Sequence, residues 1–280
     1  CLHTCIHTCM HPYIHTYFTK EHTTVFRFVA VPVGTQRKYF HRGWTAFETC
    51  LAGNKAFQDD KVFTFTEFLD PKVEPPRLAH FWKQHKQQSL PPCSPERFSE
   101  LLWACEQQVK VFRPPEKVFT DSNDKAFVTT KFRLAWEEQR AIRELEFKNV
   151  GWEDAEVTQL ASIITSFPKL EALRLTGNKI TDAGIEVLMT SLVNSTLRIL
   201  DLGDNAIGPA GLNSIAAALP SMPALEFLFA FANPCCKDET ARWQVTTAWG
   251  AVGKDKQCLI LDHFALSSQR NAEPASAVIH

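Results

Sequence analysis

Cysteine and histidine side chains alternate at the start of the chain, where they could act as metal ligands. They recur at intervals of four residues, as Cys1, Cys5, Cys9, His3, His7, His11 and His15. Thiolate and imidazole groups are ligands for zinc and copper. The C-x3-C-x3-C spacing is not that of a zinc site, however, and a CATA nucleotide repeat read in codons gives His-Thr-Tyr-Ile. We therefore predict that residues 1–22 are a translated simple repeat without a metal site, and that the chain is a fragment or a gene model whose true coding region begins near residue 22.

A second group that could do chemistry is the carboxylate of Glu48, which follows Trp44 by one helical turn. Both residues belong to the run Arg42-Gly-Trp-Thr-Ala-Phe-Glu48. This run resembles an Arg-Gly-Trp-Cys-x-x-Glu segment of uncharacterised protist proteins and, more distantly, the Trp-x-x-x-Glu segment of Toll/interleukin-receptor (TIR) domains. The resemblance implies an NAD-cleaving or nucleotide-binding signalling protein in which Glu48 is the catalytic carboxylate. A carboxylate there could stabilise the ribosyl cation that develops as the bond to nicotinamide breaks.

The structural interpretation of the same run is the one that we favour. In it, Trp44 packs beneath a sheet and Glu48 is solvated or paired with Arg42, because an isolated acidic helix residue usually lies at the surface. The Cys of the related segment is Thr45 here. The sequence contains no P-loop, no dinucleotide-binding glycine motif, no zinc-protease motif and no C-x-x-C. We therefore predict no catalytic activity and no cofactor.

Charge and hydropathy argue against two classes of partner. Residues 1–141 contain 19 Lys/Arg and 15 Asp/Glu, whereas residues 142–262 contain 10 and 15, so the second half is acidic. Binding to nucleic acid needs clustered basic side chains. No apolar run approaches the roughly 18 residues that a membrane span needs. These features predict a soluble, cytoplasmic and monomeric protein with neither nucleic acid nor membrane as a partner.

The pattern of apolar residues divides the chain into segments. They are a low-complexity tract, a partial α/β segment, a helical connector with an N-terminal cap, a repeat domain and a disordered tail, at residues 1–22, 23–90, 91–141, 142–262 and 263–280. The α/β segment has strand patterns near 24–33 and 61–68 with a helix between them. In the connector, Ser94-Pro95 is a helix start, and a long helix is predicted from Ser122 to Arg143.

An internal repeat dominates the second half. The pattern L-x-x-L-x-L-x-x-N begins at Leu170 and Leu197 and recurs from Leu225 with Ala230 at the third leucine position, after a weaker first copy. We assign the repeat asparagine, with spacings of 29, 27 and 28 residues, to Asn149, Asn178, Asn205 and Asn233. The pattern resembles the leucine-rich repeat, and its length is similar to that of the ribonuclease-inhibitor type. The resemblance implies a short α/β solenoid, with parallel strands and helices, that acts as a protein-interaction module.

The same fold follows from the spacing of the apolar residues. The leucines alternate as in short inward-facing strands, and each strand is followed by an amphipathic helix pattern. Gly184 and Gly211 open two of these helices, where we expect close backbone approach. A last helix at 239–252 and a closing strand at 258–261 are predicted to end the array.

Side chains between the leucines should face outward and stack into columns across neighbouring strands. The first column is Arg143, Glu171, Arg198 and Glu226. The second is Glu144, Ala172, Ile199 and Phe227. The third is Glu146, Arg174, Asp201 and Phe229. Because charges alternate along the first and third columns, we predict that each pairs with its lateral neighbour.

Aromatic residues mark the most promising binding surface. Phe227, Phe229 and Phe231 alternate with apolar residues, so all three rings are predicted on the concave face of the last full repeat. An exposed aromatic patch is typical of a protein-binding site. The predicted partner-binding residues, for a protein partner, are Phe227, Phe229, Phe231, Ile199, Arg174 and Asp201. The alternative is that the C-terminal tail or the first segment covers the patch.

Overall fold

The chain divides into two units, with the boundary between Ile142 and Arg143. This computed structural model describes residues 25–28, 43–55, 62–65, 90–110, 117–119, 121 and 123–262. The predicted low-complexity tract at 1–22 and the predicted tail at 263–280 lie outside the described residues.

The described residues of the first unit form a parallel strand pair and three helices. Strands β1 (Val25–Phe28) and β2 (Val62–Phe65) pair in parallel, with Val25 opposite Val62. The helices are α1 (Gly43–Gly53), α2 (Pro95–Lys110) and α3 (Asp124–Gln139). Helix α2 begins as its sequence predicts, because the Ser94 hydroxyl accepts the N–H of Arg97 at 3.2 Å.

Aromatic side chains form the core between these helices. The rings of Phe98 and Phe132 stack with centroids 4.3 Å apart, and Phe47 packs beside both. At the end of α1, the Asn54 side chain accepts the N–H of Cys93 at 2.6 Å and donates to its carbonyl at 3.2 Å. These contacts hold α1, α2 and α3 together.

Helix α3 is shorter than the prediction of a helix from Ser122 to Arg143. Its last residue, Gln139, is buried, and its Nε2 donates to the Asn54 carbonyl at 2.8 Å. The next residues form a turn, in which the N–H of Ile142 donates to the Gln139 carbonyl at 3.0 Å. This turn ends the helix before the chain enters the first strand of the second unit.

The second unit consists of successive repeats, most of which contain one strand and one helix. Its strands are β3 (Glu144–Glu146), β4 (Ala172–Arg174), β5 (Ile199–Asp201), β6 (Phe227–Phe229) and β7 (Leu259–Ile260). They form one parallel sheet in chain order. Its helices are α4 (Asp154–Ile163), α5 (Asp182–Ser191), α6 (Pro209–Ala218) and α7 (Glu239–Ala251). Each helix packs against the helix of the next repeat, and the predicted last helix and closing strand are confirmed.

The repeat leucines supply the core of this unit. One inward column runs through β3 to β6 as Leu145, Leu173, Leu200 and Leu228, each at most 1% exposed. Apolar residues of the helices close over it, among them Leu160, Ile185, Leu188, Leu212, Ile215 and Val245. Burial of this continuous apolar surface is the main force that holds the repeats together.

A row of buried asparagine amides links one repeat to the next. The Asn205 Oδ1 accepts the N–H of Ile180 at 3.2 Å, and its Nδ2 donates to the carbonyls of Leu175 at 3.0 Å and Leu202 at 3.1 Å. Leu175 belongs to the preceding repeat and Leu202 to the same repeat as Asn205. Asn178 and Asn233 make the equivalent bonds.

The assignment of Asn149 to this row was wrong by one residue. Asn149 has a φ of 52°, like Gly177 at 73° and Asp204 at 51°, and its N–H donates across to the next repeat as theirs do. The row position in the first copy is Val150, which is buried. The row amide donates to a carbonyl of the preceding repeat. Because the first copy follows no repeat, its row position needs no amide.

A second row of contacts links the helix starts. The Asp182 carboxylate accepts the N–H of Gly208 in the following repeat at 2.6 Å. A Cβ placed on Gly211 would lie 2.5 Å from the same carboxylate and 3.2 Å from the Asp182 Cα, so glycine makes room for a side chain as well as for the predicted close backbone. Asp154 and Gly184 repeat the arrangement one helix earlier. An anion at a helix start is also favoured by the helix dipole.

Removal of one row amide should destabilise the second unit. In Asn205→Ala the buried N–H of Ile180 loses its acceptor and the carbonyls of Leu175, Leu202 and Gly203 each lose a donor, so we expect a loss of about 2–3 kcal/mol in the free energy of unfolding. Urea unfolding followed by circular dichroism measures it. Asn213→Ala is the matched control, because Asn213 is exposed on α6 and should change the same quantity by less than about 0.5 kcal/mol. Equal stability of Asn205→Ala and the control would contradict a structural role for the row.

Candidate functional site

The outward face of the second-unit sheet is the face turned away from the helices. The strand register aligns Glu144, Ala172, Ile199 and Phe227. It also aligns Glu146, Arg174, Asp201 and Phe229. Both alignments are the predicted second and third columns. The apolar residues of the second column therefore lie side by side toward the C-terminal end of the sheet.

Ion pairs occupy the first column, as predicted. Arg143 Nη1 lies 2.8 Å from Glu171 Oε1, and Arg198 donates to both carboxylate oxygens of Glu226 at 2.9 and 2.7 Å. The hydrogen bond from Arg198 lowers the pKa of the Glu226 carboxyl. Arg198 and Glu226 are both about half exposed, so the pair adds little to stability. Its consequence is that the edge of the face carries little net charge.

Charges in the third column pair laterally only in part, because Arg174 lies within ion-pair distance of its lateral neighbour Glu146 but makes its shorter contact to Glu144. Arg174 Nε donates to Glu144 Oε1 in the second column at 2.6 Å and lies 3.9 Å from Glu146. Burial acts to lower the pKa of Arg174, but the hydrogen bond to Glu144 and the charges of Asp201 and Glu146 raise it above its ordinary value. The buried Asp201 carboxylate accepts the N–H of Gly203 at 3.1 Å. Arg174 and Asp201 are thus engaged within the chain.

Two of the three predicted phenylalanines share the open part of this face. Phe227 and Phe229 are half-buried, and their rings are nearly parallel, at 15°, with centroids 6.4 Å apart. We call these two residues the aromatic pair. Ile199 is half-buried directly opposite Phe227, and the buried Ile260 lies opposite Phe229 on β7.

Phe231 is covered, unlike the aromatic pair. Its exposed fraction is 9%, and its ring lies where a side chain on Gly203 would project, because a Cβ on that glycine would come within 2.4 Å of the ring. This contact can be predicted by comparing equivalent positions of successive repeats, although the alternation of apolar residues within one strand does not show it. Thr176, Gly203 and Phe231 occupy the same position of successive repeats, and glycine leaves a gap that the next ring fills.

Trp44 and Glu48 belong to the first unit. Trp44 Nε1 donates to Asp124 Oδ2 at 2.9 Å, and its ring meets Phe47 and Phe127, so it holds α1 against α3. Glu48 is half-buried, and burial raises its pKa to about 7. The expectation of a solvated carboxylate at Glu48 is therefore wrong, and the expected partner Arg42 lies outside the described residues.

Other chemistry is limited within the part of the chain that the structure describes. Its six cysteines are free thiols: Cys50, Cys93, Cys105, Cys235, Cys236 and Cys258. No group of three or more His, Cys, Asp or Glu in this part is placed to hold a metal ion. None of its helices combines the length and the apolar character that crossing a bilayer requires. The cysteine- and histidine-rich opening tract lies outside it.

Comparison with known families supports the repeat assignment. The family model of the leucine-rich repeat matches residues 168–189 and 193–216, which cover β4 with most of α5 and β5 with most of α6. Together with the parallel sheet and its helices, this match shows a leucine-rich-repeat segment in an α/β fold.

The raised pKa of Glu48 predicts how stability changes with pH. A carboxyl whose pKa is about 7 when folded and 4.5 when unfolded binds its proton more tightly in the folded state. The stability that it contributes is complete below pH 4.5 and is lost as the pH rises through 7. Relative to wild type, Glu48→Gln should therefore become more stable between pH 5 and pH 8, by about 2 kcal/mol.

Urea unfolding at several pH values measures this difference. Glu100→Gln is a suitable control, because Glu100 is exposed on α2 and its variant should follow the wild-type pH profile. A constant difference between Glu48→Gln and wild type from pH 5 to pH 8 would show that the carboxyl is not desolvated.

Proposed function

We propose that this chain is a protein-interaction module that binds a partner through the aromatic pair on its leucine-rich-repeat unit. The observation that carries the proposal is the half-buried state of Phe227 and Phe229 on a sheet face whose neighbouring charges are satisfied internally. Aromatic side chains bury much area and lose little conformational entropy on binding, so they often dominate the energy of an interface.

The fold presents the aromatic pair on a rigid base. Both residues are in β6, which pairs with β5 on one side and with β7 on the other. Between them Leu228 is fully buried, which fixes the direction of both rings. A partner therefore meets a preformed surface and spends little free energy on ordering it.

The other predicted contact residues have two different roles in this proposal. Ile199 extends the apolar surface from Phe227 onto the neighbouring strand. Arg174 and Asp201 border the surface and shape it through their bonds to Glu144 and to the Gly203 N–H. Phe231 supports the surface from below by packing on Gly203.

Repeat length and thiol chemistry support two finer assignments. Val150, Asn178, Asn205 and Asn233 are 28, 27 and 28 residues apart, and a full helix follows each of β3 to β5, which favours the ribonuclease-inhibitor type. The six cysteines of the described residues are free thiols, which suit the reducing environment of the cytoplasm, where we place the protein.

The aromatic pair should be needed for partner capture but not for folding. Phe227→Ala combined with Phe229→Ala should lower partner affinity by about thirty-fold, because loss of interface anchors costs about 2 kcal/mol or more. The experiment is affinity capture with the full chain, quantified by mass spectrometry, beside thermal unfolding of each variant.

Trp243→Ala is the matched control for this experiment. Trp243 is an aromatic residue on α7 with 67% of its surface exposed, so its removal should change neither capture nor stability. If the double variant lowers the unfolding temperature and captures the same proteins as wild type, the aromatic pair serves packing alone.

A second candidate function uses Glu48 as the carboxylate of NAD cleavage. One observation favours it: the Glu48 carboxyl is half-buried with a pKa raised to about 7, and perturbed carboxyls are enriched in active sites. Incubation of the full chain with NAD and measurement of free nicotinamide tests it. The interaction function predicts no release above background, whereas release that disappears in Glu48→Gln and persists in Glu100→Gln would establish the enzyme.

A further inference from the structure

We infer that the partner segment that covers the aromatic pair is apolar and carries no net charge. This inference rests on the proposed interaction function and adds the chemistry of the partner. Its basis is the state of the charges around the aromatic pair. A charged partner gains affinity only where complementary charges are free to meet it.

On one side of the aromatic pair lies the Arg198–Glu226 ion pair. Glu226 directly precedes Phe227, and the two hydrogen bonds from Arg198 occupy both of its carboxylate oxygens. An acidic partner side chain would have to displace Glu226 from Arg198, and a basic one would have to displace Arg198 from Glu226. Either exchange replaces an ion pair with an ion pair and yields little free energy.

On the other side the charges are also satisfied within the chain. Arg174 bonds Glu144 at 2.6 Å, Lys148 lies 3.0 Å from Glu146, and the Asp201 carboxylate accepts the Gly203 N–H. Arg174 already faces three carboxylates, those of Glu144, Glu146 and Asp201, so a further acidic group is disfavoured there. Each of these charged groups therefore already has a partner within the chain.

An apolar stripe leads across the sheet to the aromatic pair. Ala172, Ile199 and Phe227 are neighbours in register on three strands, but Ala172 is buried, so Ile199 and Phe227 form the accessible part of the stripe. Neighbouring strands are about 4.8 Å apart, so this part accommodates one or two apolar side chains of one bound segment.

Three labelled peptides of equal length test the inference on the full chain. Each has Leu and Phe at alternate positions, separated by Gln in the neutral peptide, Glu in the acidic one and Lys in the basic one. Fluorescence anisotropy gives the affinities at about 50 mM and about 500 mM NaCl, where screening lengths differ by about three-fold. We expect the neutral peptide to bind at least about five-fold more tightly than either charged peptide, with less than about two-fold change in Kd between the two salt concentrations.

Variants separate this inference from the function on which it rests. Phe227→Ala with Phe229→Ala should weaken the neutral peptide about ten-fold or more, and Trp243→Ala should not. Tighter binding of the acidic or basic peptide that is lost in the double variant would overturn the neutral chemistry and leave the interaction site standing. Absence of neutral-peptide binding, or binding that the double variant retains, would overturn the inference. Failure of the interaction function itself would be seen separately, as partner capture that the double variant leaves unchanged.

Discussion

The buried carboxamides of Asn178, Asn205 and Asn233 are the interaction on which the second unit depends. Each bend after a strand leaves backbone N–H and carbonyl groups pointing inward, where unpaired polar groups are costly. One amide supplies both an acceptor and two donors, so it can satisfy groups of its own repeat and of the preceding repeat together. Among neutral side chains only the carboxamides of Asn and Gln offer that combination, and Asn is the shorter. The row therefore sets the distance and the angle between repeats, and the leucine core then fills the space enclosed.

The outward face inherits its order from that row. Once the repeats are fixed in register, residues at equal positions stand side by side, and the surface becomes a grid whose rows are strands. Charged side chains on this surface form ion pairs with one another, either laterally, as Arg198 with Glu226, or diagonally, as Arg174 with Glu144. Among the described residues of β5 and β6, the outward side chains that form no ion pair are mainly apolar. The aromatic pair is therefore an apolar site on a surface whose charged side chains have partners. The aromatic pair is a candidate site because of where it lies on this surface, and not because phenylalanine is an unusual residue type.

Much of this organisation could be predicted from the spacing of the leucines. The strands of the repeat unit, their register and the columns all follow from a period near 28 and from alternation within each strand. The errors arose where a residue's role depends on a neighbour in another repeat or helix. Asn149 and Asn178 are the same amino acid one position apart in the repeat, but Asn149 takes the positive-φ position before the row, whereas the Asn178 amide bonds the Phe147 carbonyl of the preceding repeat. The burial of Phe231 depends on Gly203, 28 residues earlier, and that of Glu48 depends on how its unit packs around α1.

The contact between Gly203 and Phe231 also bears on how such an array can evolve. A missing side chain in one repeat is complemented by an oversized one in the next, so the two repeats form a matched pair. Duplication or insertion of a repeat between β5 and β6 would separate the glycine from its ring, leaving a gap in one unit and an exposed phenylalanine in another. Recombination at this boundary would therefore cost packing in both repeats. The boundaries on the N-terminal side of β5 carry contacts of the same kind, because Gly177 leaves room for the Asn149 side chain and Gly211 for that of Asp182.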